Sequence, residues 1–99
     1  MSLNVRIAVR AADEIERADA WWRQNRLAAP EAVRQDLERT LKLLLLQPGI
    51  GQRVANARLA GVRRIHIDRV QHHVYYRVQG SELVVLRFWH AQRLKQSHL

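Results

Sequence analysis

The stretch VRRIHIDRVQHHVYYRVQGSELVVLRFWH, residues 62–90, decides the fold of this 99-residue chain. Within it, β-branched and aromatic residues dominate three runs, at residues 62–67, 72–79 and 83–90, and such runs predict β-strands. Short polar segments separate the three runs, and Gly80 lies in the second segment. Connections of this length join neighbouring antiparallel strands. The second half of the chain is therefore predicted to form an antiparallel sheet.

The first half of the chain contains one further strand and two helices. Apolar residues alternate with other residues from Leu3 to Val9, and this period of two predicts a strand. The spacing then changes to three and four residues, which predicts a helix over residues 11–25 and a second helix from about residue 29 to residue 47. Pro30 fits the first turn of the second helix, and Pro48 and Gly49 end it. The apolar stripes are Ala11, Ile15, Ala18 and Trp22 in the first helix, and Val33, Leu37, Leu41, Leu44 and Leu45 in the second.

The predicted order of elements is β-α-α-β-β-β, which is an α+β fold. Because only four residues link the two helices, we expect a helical hairpin packed on one face of a small, mainly antiparallel four-stranded sheet. The length fits a single domain over residues 1–99. Two helices cover only one face of such a sheet, so the other face is expected to meet solvent or a partner.

Composition excludes several classes of function. The chain has no cysteine, so disulfides, zinc–thiolate sites and cysteine nucleophiles are absent. No apolar run is long enough to cross a membrane, and the first residues do not resemble a secretory signal, so we expect a cytoplasmic protein without a membrane partner. Phosphate-loop, dinucleotide-binding and zinc-protease motifs are also absent. We therefore expect no cofactor and no bound metal.

The positive charge is concentrated in the second half of the chain. The net charge is +8, and residues 1–47 hold eight Lys and Arg against seven Asp and Glu. Residues 48–99 hold nine Lys and Arg but only Asp68 and Glu82, together with all five histidines. A polarised charge of this kind favours an anionic partner, such as a nucleic acid or an acidic protein segment.

Strand alternation predicts which residues face away from the helices. If Ile65, Ile67, Val74, Tyr76, Val78, Val84, Leu86 and Phe88 point towards the helices, the opposite face, here called the open face, carries Arg64, His66, His73, Tyr75, Arg77, Arg87 and Trp89. Arg93 extends this surface at its rim. The register of the last strand stays open, because residues 83–86 are apolar at every position. A shift of one residue would replace Arg87 and Trp89 by Phe88 and His90.

The open face has two possible chemical uses. Arginine binds phosphate and carboxylate groups, and aromatic rings offer stacking surfaces, so the face suits an anionic or protein partner. A four-residue turn places His66 opposite His73, and two imidazoles beside Arg64 could supply a base, an acid and a cation for metal-independent RNA cleavage. Exposed histidine pairs on strands are more often simply polar surface residues. Trp21 and Trp22 are adjacent on a helix, so one of them is expected to be exposed as an anchor for a protein partner.

The sequence resembles the RelE/ParE toxin superfamily over essentially its whole length. The resemblance rests on the element order and on four segments, which are Gln47-Pro48-Gly49-Ile50-Gly51, Gly61-Val62-Arg63-Arg64-Ile65, His73-Val74-Tyr75-Tyr76-Arg77-Val78, and Leu86-Arg87-Phe88-Trp89-His90-Ala91-Gln92-Arg93. Members are toxins of type II toxin–antitoxin modules. RelE-like members cut messenger RNA on the ribosome, whereas ParE-like members poison DNA gyrase.

The resemblance also implies roles for individual residues. The RelE-like catalytic positions correspond to Arg64, His66, His73 and Arg93, where that branch has lysines and arginines, and no tyrosine follows Arg93. These departures favour the ParE-like branch, in which the chain binds its target and is not an enzyme. Residues expected to contact a target or antitoxin are Trp21, Trp22, Arg64, Tyr75, Arg87, Trp89, His90 and Arg93.

The resemblance implies two kinds of partner. One is a cognate, ParD-like antitoxin with an acidic C-terminal segment, which forms a hetero-oligomer with the toxin. The other is the target, which is DNA gyrase in the ParE-like branch or the ribosome with its messenger RNA in the RelE-like branch.

Overall fold

The computed structural model describes residues 2–92, and these residues form two helices and five strands. In chain order the elements are β1 (Asn4–Ile7), α1 (Val9–Asn25), α2 (Ala32–Leu46), β2 (Gln52–Arg53), β3 (Arg63–Ile67), β4 (His72–Gln79) and β5 (Glu82–His90). The two helices pack on a mixed sheet, which confirms the predicted α+β class.

The strands form one sheet in the order β1-β5-β4-β3-β2. β1 pairs in parallel with β5, and every other neighbouring pair is antiparallel. The prediction of four strands is wrong by one, because Gln52 and Arg53 pair with Arg64 and Arg63 as a fifth strand at the edge. This strand has only two residues, both exposed, and therefore carries no alternating pattern that a sequence could show.

Both helices use the apolar stripes that the sequence predicts. Ala11, Ile15 and Ala18 of α1 are buried, as are Val33, Leu37 and Leu44 of α2, and Trp22, Leu41 and Leu45 pack against them. The starts of the helices differ from the prediction. α1 begins at Val9, two residues early, and α2 begins at Ala32, because residues 27–31 form turns around Pro30. A helix start of this kind varies with local capping, whereas the buried stripe is fixed by the core.

A β-bulge corrects the predicted inner face of β5. Tyr75 lies opposite Arg87, but Tyr76 lies opposite Val85, so Leu86 is the extra residue. The core therefore receives Leu83 and Val85 in place of the predicted Val84 and Leu86. Phe88 points to the core as expected, because the extra residue restores the alternation after the bulge. Val78 was also predicted to point inwards, but it is 46% exposed near the end of β4.

Tyr76 fixes the loop that follows α2. Its hydroxyl donates a hydrogen bond to the carbonyl oxygen of Pro48 at 2.7 Å and accepts one from the amide of Gly51 at 2.9 Å. The Arg63 side chain donates to the carbonyl oxygen of Gly51 at 2.8 Å. Burial raises the pKa of Tyr76, while the Gly51 amide and Arg63 oppose the rise. These bonds hold the Pro48–Gly51 break against the core and so place β2 at the sheet edge.

Two classes of feature are missing from the described part of the chain. Neither α1 nor α2 has the length and apolar character needed to cross a membrane. Residues 2–92 also contain no cluster of three or more His, Asp or Glu side chains arranged to hold a metal ion.

Candidate functional site

The open face has the strand register that the sequence predicts. Arg64 lies opposite Tyr75, and His66 lies opposite His73. On the other side of β4, Tyr75 lies opposite Arg87, and His73 lies opposite Trp89. The four-residue turn between β3 and β4 fixes the first pair of positions, and the bulge fixes the second. The structure thus brings together six of the predicted site residues on one face of β3, β4 and β5.

A histidine pair lies at the centre of this surface. The ring centroids of His66 and His73 are 4.9 Å apart, and Nε2 of His66 is 3.2 Å from a carboxylate oxygen of Asp68. Burial lowers the pKa of His73 most, and with the nearby positive charges of Arg64, His66 and His72 it brings that pKa to about 4. His73 is therefore neutral at pH 7, and its Nδ1 is buried without a hydrogen bond among the described residues.

Arg87 is buried, so the expectation of an exposed Arg87 is wrong. Its side chain is 1% exposed, and Glu14 of α1 accepts three hydrogen bonds from it at 2.6 to 3.0 Å. The guanidinium also lies 4.2 Å from the ring centroid of Trp89. Its positive charge is already paired inside the protein and is not presented to a partner.

Tyr75 is also less accessible than its position predicts. It is 2% exposed, although it lies on the face opposite the helices, and its ring is 6.2 Å from that of His73. The accessible cations of the open face are therefore Arg64 and Arg77, both half-buried, while His66 is exposed. Arg77 donates to the carbonyl oxygen of Ala60 at 3.3 Å, which holds its side chain near the start of β3.

Trp21, Trp22 and Trp89 line a cleft between α1 and the C-terminal part of β5, here called the α1–β5 cleft, and Trp89 borders both this cleft and the open face. Trp21 and Trp22 line it from the helix, while Trp89 and His90 line it from the strand. Trp21 is 48% exposed and Trp22 packs against the core, so Trp21 is the exposed member of the pair. The imidazole of His90 lies 5.1 Å from that of His72, and its Nδ1 accepts the Gln92 amide at 3.1 Å. The predicted contact residues thus divide between two surfaces.

The geometry can be compared with known proteins. The family model for the ParE toxin of the type II toxin–antitoxin system parDE matches residues 5–95, which is nearly the whole chain. The chain belongs to the ParE toxin family. This membership confirms the resemblance to the RelE/ParE superfamily and the preference for its ParE branch.

A solved structure supports the ParE fold. It is described as the chromosomal ParDE TA system from P. aeruginosa, and its matching chain is 23% identical to this one with a TM-score of 0.70. The alignment covers 89% of this chain and 95% of that chain. No curated protein matches the sequence significantly.

One predicted site residue of this ParE-family chain falls outside the described residues. It is Arg93, which directly follows the last described residue, Gln92. The RelE-like set is therefore described for Arg64, His66 and His73 alone.

Four residues that matter to the two surfaces were missed by sequence reasoning. Glu14 holds Arg87, and the arginines at positions 17, 26 and 69 line the α1–β5 cleft. Arg69 lies in the turn between β3 and β4 and lines the cleft, and Asp36 of α2 binds it bidentately, at 2.6 and 2.9 Å. Glu14 follows Ala11 by three positions along the buried side of α1. Residues three positions apart lie on the same side of a helix, so this spacing is the one feature of the sequence that points to a partly buried Glu14.

Proposed function

We propose that this ParE-family toxin inhibits growth by binding and poisoning DNA gyrase, and that a cognate antitoxin neutralises it. The family match over residues 5–95 carries the proposal, because poisoning of gyrase is the activity that the ParE branch implies. On this proposal the chain acts by binding a large protein and performs no chemical step of its own.

The open face supports a binding role. It presents the half-buried cations Arg64 and Arg77 and the exposed imidazole of His66, whereas Arg87 is held inside by Glu14. Arginine at the rim of a surface raises the rate and selectivity of association with an acidic protein patch. The pairing of strands β3, β4 and β5 makes this surface rigid, which lowers the entropic cost of binding.

The proposed antitoxin fits the charge of the chain. The related solved structure is described as a toxin–antitoxin system, and a protein with a net charge of +8 attracts an acidic segment. A disordered acidic segment that folds on binding could cover a large part of such a surface. We propose that toxin and antitoxin form a cytoplasmic hetero-oligomer.

Purified gyrase provides the direct test. The chain is added to gyrase, ATP and relaxed plasmid, and we expect loss of supercoiling together with accumulation of cleaved DNA. Heat-denatured chain serves as the control. Normal supercoiling at a large molar excess of folded chain would contradict the proposal.

One observation favours a second candidate, ribosome-dependent cleavage of messenger RNA. The ring centroids of His66 and His73 are 4.9 Å apart, and two imidazoles beside Arg64 offer a proton acceptor, a proton donor and a cation for cleavage at a ribose 2′-hydroxyl group. Programmed ribosomes that are incubated with the chain would then yield cut messenger RNA, and His73→Ala would abolish the cutting. Intact messenger RNA would exclude this candidate, and it would leave the gyrase proposal unaffected.

A further inference from the structure

The α1–β5 cleft is a concave site in the described part of the chain. It has a volume of about 580 Å³, which lies within the usual range for ligand-binding pockets. Its walls are formed by α1, by the turn between β3 and β4, and by the last residues of β5. All three tryptophans of the protein, Trp21, Trp22 and Trp89, line it.

The floor of the cleft is aromatic. The rings of Trp21 and Trp22 meet edge to face with centroids 6.1 Å apart. On the strand side, the imidazole of His72 stacks on Phe88 at 4.4 Å. An aromatic surface that is held rigidly and left partly exposed is typical of a protein-binding hot spot, because its burial stabilises a complex strongly.

The rim of the cleft is positively charged. Arg17, Arg26 and Arg69 line it. Arg17 forms an exposed ion pair with Asp13 at 3.1 Å, and Arg69 is held by Asp36 at 2.6 Å. The guanidinium carbon of Arg26 lies 4.8 Å from the ring centroid of Trp21. The carboxylate that lines the cleft belongs to Glu14, and its charge is already paired with Arg87. The cleft therefore combines an apolar floor with a positive rim.

We propose that the α1–β5 cleft binds an acidic peptide segment that carries bulky apolar side chains. The apolar side chains occupy the aromatic floor, and the carboxylates of the segment pair with Arg17 and Arg26. This inference deepens the proposed neutralisation and rests on it, because the segment belongs to the antitoxin. It separates the antitoxin site from the open face, to which the proposed function assigns gyrase.

Charge argues against the other occupants. A second copy of this chain has a net charge of +8 and would bring further positive charge to a positive rim. A nucleic acid would offer phosphates to the rim, but Arg26 already lies over the rings of Trp21 and Trp22 on which its bases would have to stack. An acidic peptide satisfies both parts of the cleft.

Tryptophan fluorescence tests the proposal, because all three emitters line the cleft. The full-length chain is titrated with a synthetic acidic peptide, Glu-Glu-Leu-Glu-Phe-Leu-Glu-Glu, which contains no tryptophan. We expect a saturable change in emission that weakens with salt, and no change with the same peptide carrying Lys in place of Glu. An unchanged emission with the acidic peptide, or an equal response to an oligothymidylate, would overturn the proposal.

Matched variants locate the binding. Arg17→Gln combined with Arg26→Gln is expected to raise the Kd for the acidic peptide about tenfold at low salt, since two charged contacts are lost. Arg10→Gln combined with Arg58→Gln removes the same charge at exposed positions outside the cleft and is expected to leave the Kd within about twofold. Equal Kd values for the two double variants would overturn the proposal.

The last alternative occupant to be tested is the chain's own C-terminal segment. A chain that ends at Gln92 is expected to keep the tryptophan emission and the peptide affinity of the full-length chain. A large change in emission with tighter peptide binding would assign the cleft to residues 93–99 and overturn the proposal.

The gyrase and peptide experiments distinguish a failure of the proposed function from a failure of the cleft proposal. If the proposed function fails, the unaltered chain leaves gyrase active, whatever the peptide does. If the cleft proposal fails, gyrase is inhibited but the peptide does not bind.

Discussion

Arg87 of β5 and Glu14 of α1 form a buried ion pair across 73 positions of sequence, with Nη2 and Oε2 2.6 Å apart. Oε1 of Glu14 also accepts the backbone amide of Phe88 at 3.0 Å. β1 pairs with β5 only as far as Val85, so Glu14 covers the part of the β5 edge that β1 leaves open. The pair joins α1 to the sheet where the open face and the α1–β5 cleft meet.

Glu14→Gln is expected to lower the free energy of unfolding by about 3 kcal/mol, because it leaves the charge of Arg87 buried without a counterion. Urea denaturation followed by circular dichroism measures the change. Glu16→Gln alters an exposed carboxylate of the same helix and is expected to change stability by less than about 0.5 kcal/mol. Equal effects of the two substitutions would show that the buried pair contributes nothing particular.

The Pro48–Gly51 break provides a second prediction about stability. A Cβ atom at Gly51 would lie 2.8 Å from Cε1 of Tyr76, whereas a Cβ atom at Gly49 would meet no atom within 4 Å. Gly51→Ala is therefore expected to lower the free energy of unfolding by about 2 kcal/mol, because Tyr76 must move and its hydrogen bonds are disturbed. Gly49→Ala is the matched control, and thermal denaturation of both variants measures the difference. A Gly51→Ala variant as stable as Gly49→Ala would refute this role of Tyr76.

Local sequence patterns predicted most of the fold and part of the site. The short turn between β3 and β4 determines the pairing of His66 with His73, so the sequence alone was enough to place them together. The bulge at Leu86 could not be predicted, because residues 83–86 are apolar at every position and fit either face. The burial of Arg87 depends on Glu14, a partner distant in sequence, and alternation along one strand carries no information about it.

The lowered pKa of His73 predicts a stability that depends on pH. Below about pH 6.5 the unfolded chain binds a proton at this imidazole, whereas the folded chain does not bind it until about pH 4. The contribution of His73 is therefore complete above about pH 6.5 and is lost as the pH falls towards 4. Urea denaturation across this range measures it, and His73→Phe is expected to flatten the dependence. Identical pH profiles for the two proteins would show that His73 titrates normally in the folded chain.

The separation of the two surfaces leads to a functional prediction. Arg64→Gln combined with Arg77→Gln removes the accessible arginines of the open face without touching the cleft. We expect gyrase inhibition to require about tenfold more of this variant, because charged contacts at an interface rim affect association most. Binding of the acidic peptide is expected to stay unchanged.

If each surface has its own partner, substitutions in the α1–β5 cleft are expected to weaken peptide binding and to leave gyrase inhibition unchanged. Arg17→Gln with Arg26→Gln is expected to inhibit gyrase like the unaltered chain, yet to bind the acidic peptide less tightly. Supercoiling assays and tryptophan fluorescence on the same protein preparations give both values. If each double variant loses both activities to the same degree, the two partners share one surface, since exposed substitutions at separate sites otherwise act independently.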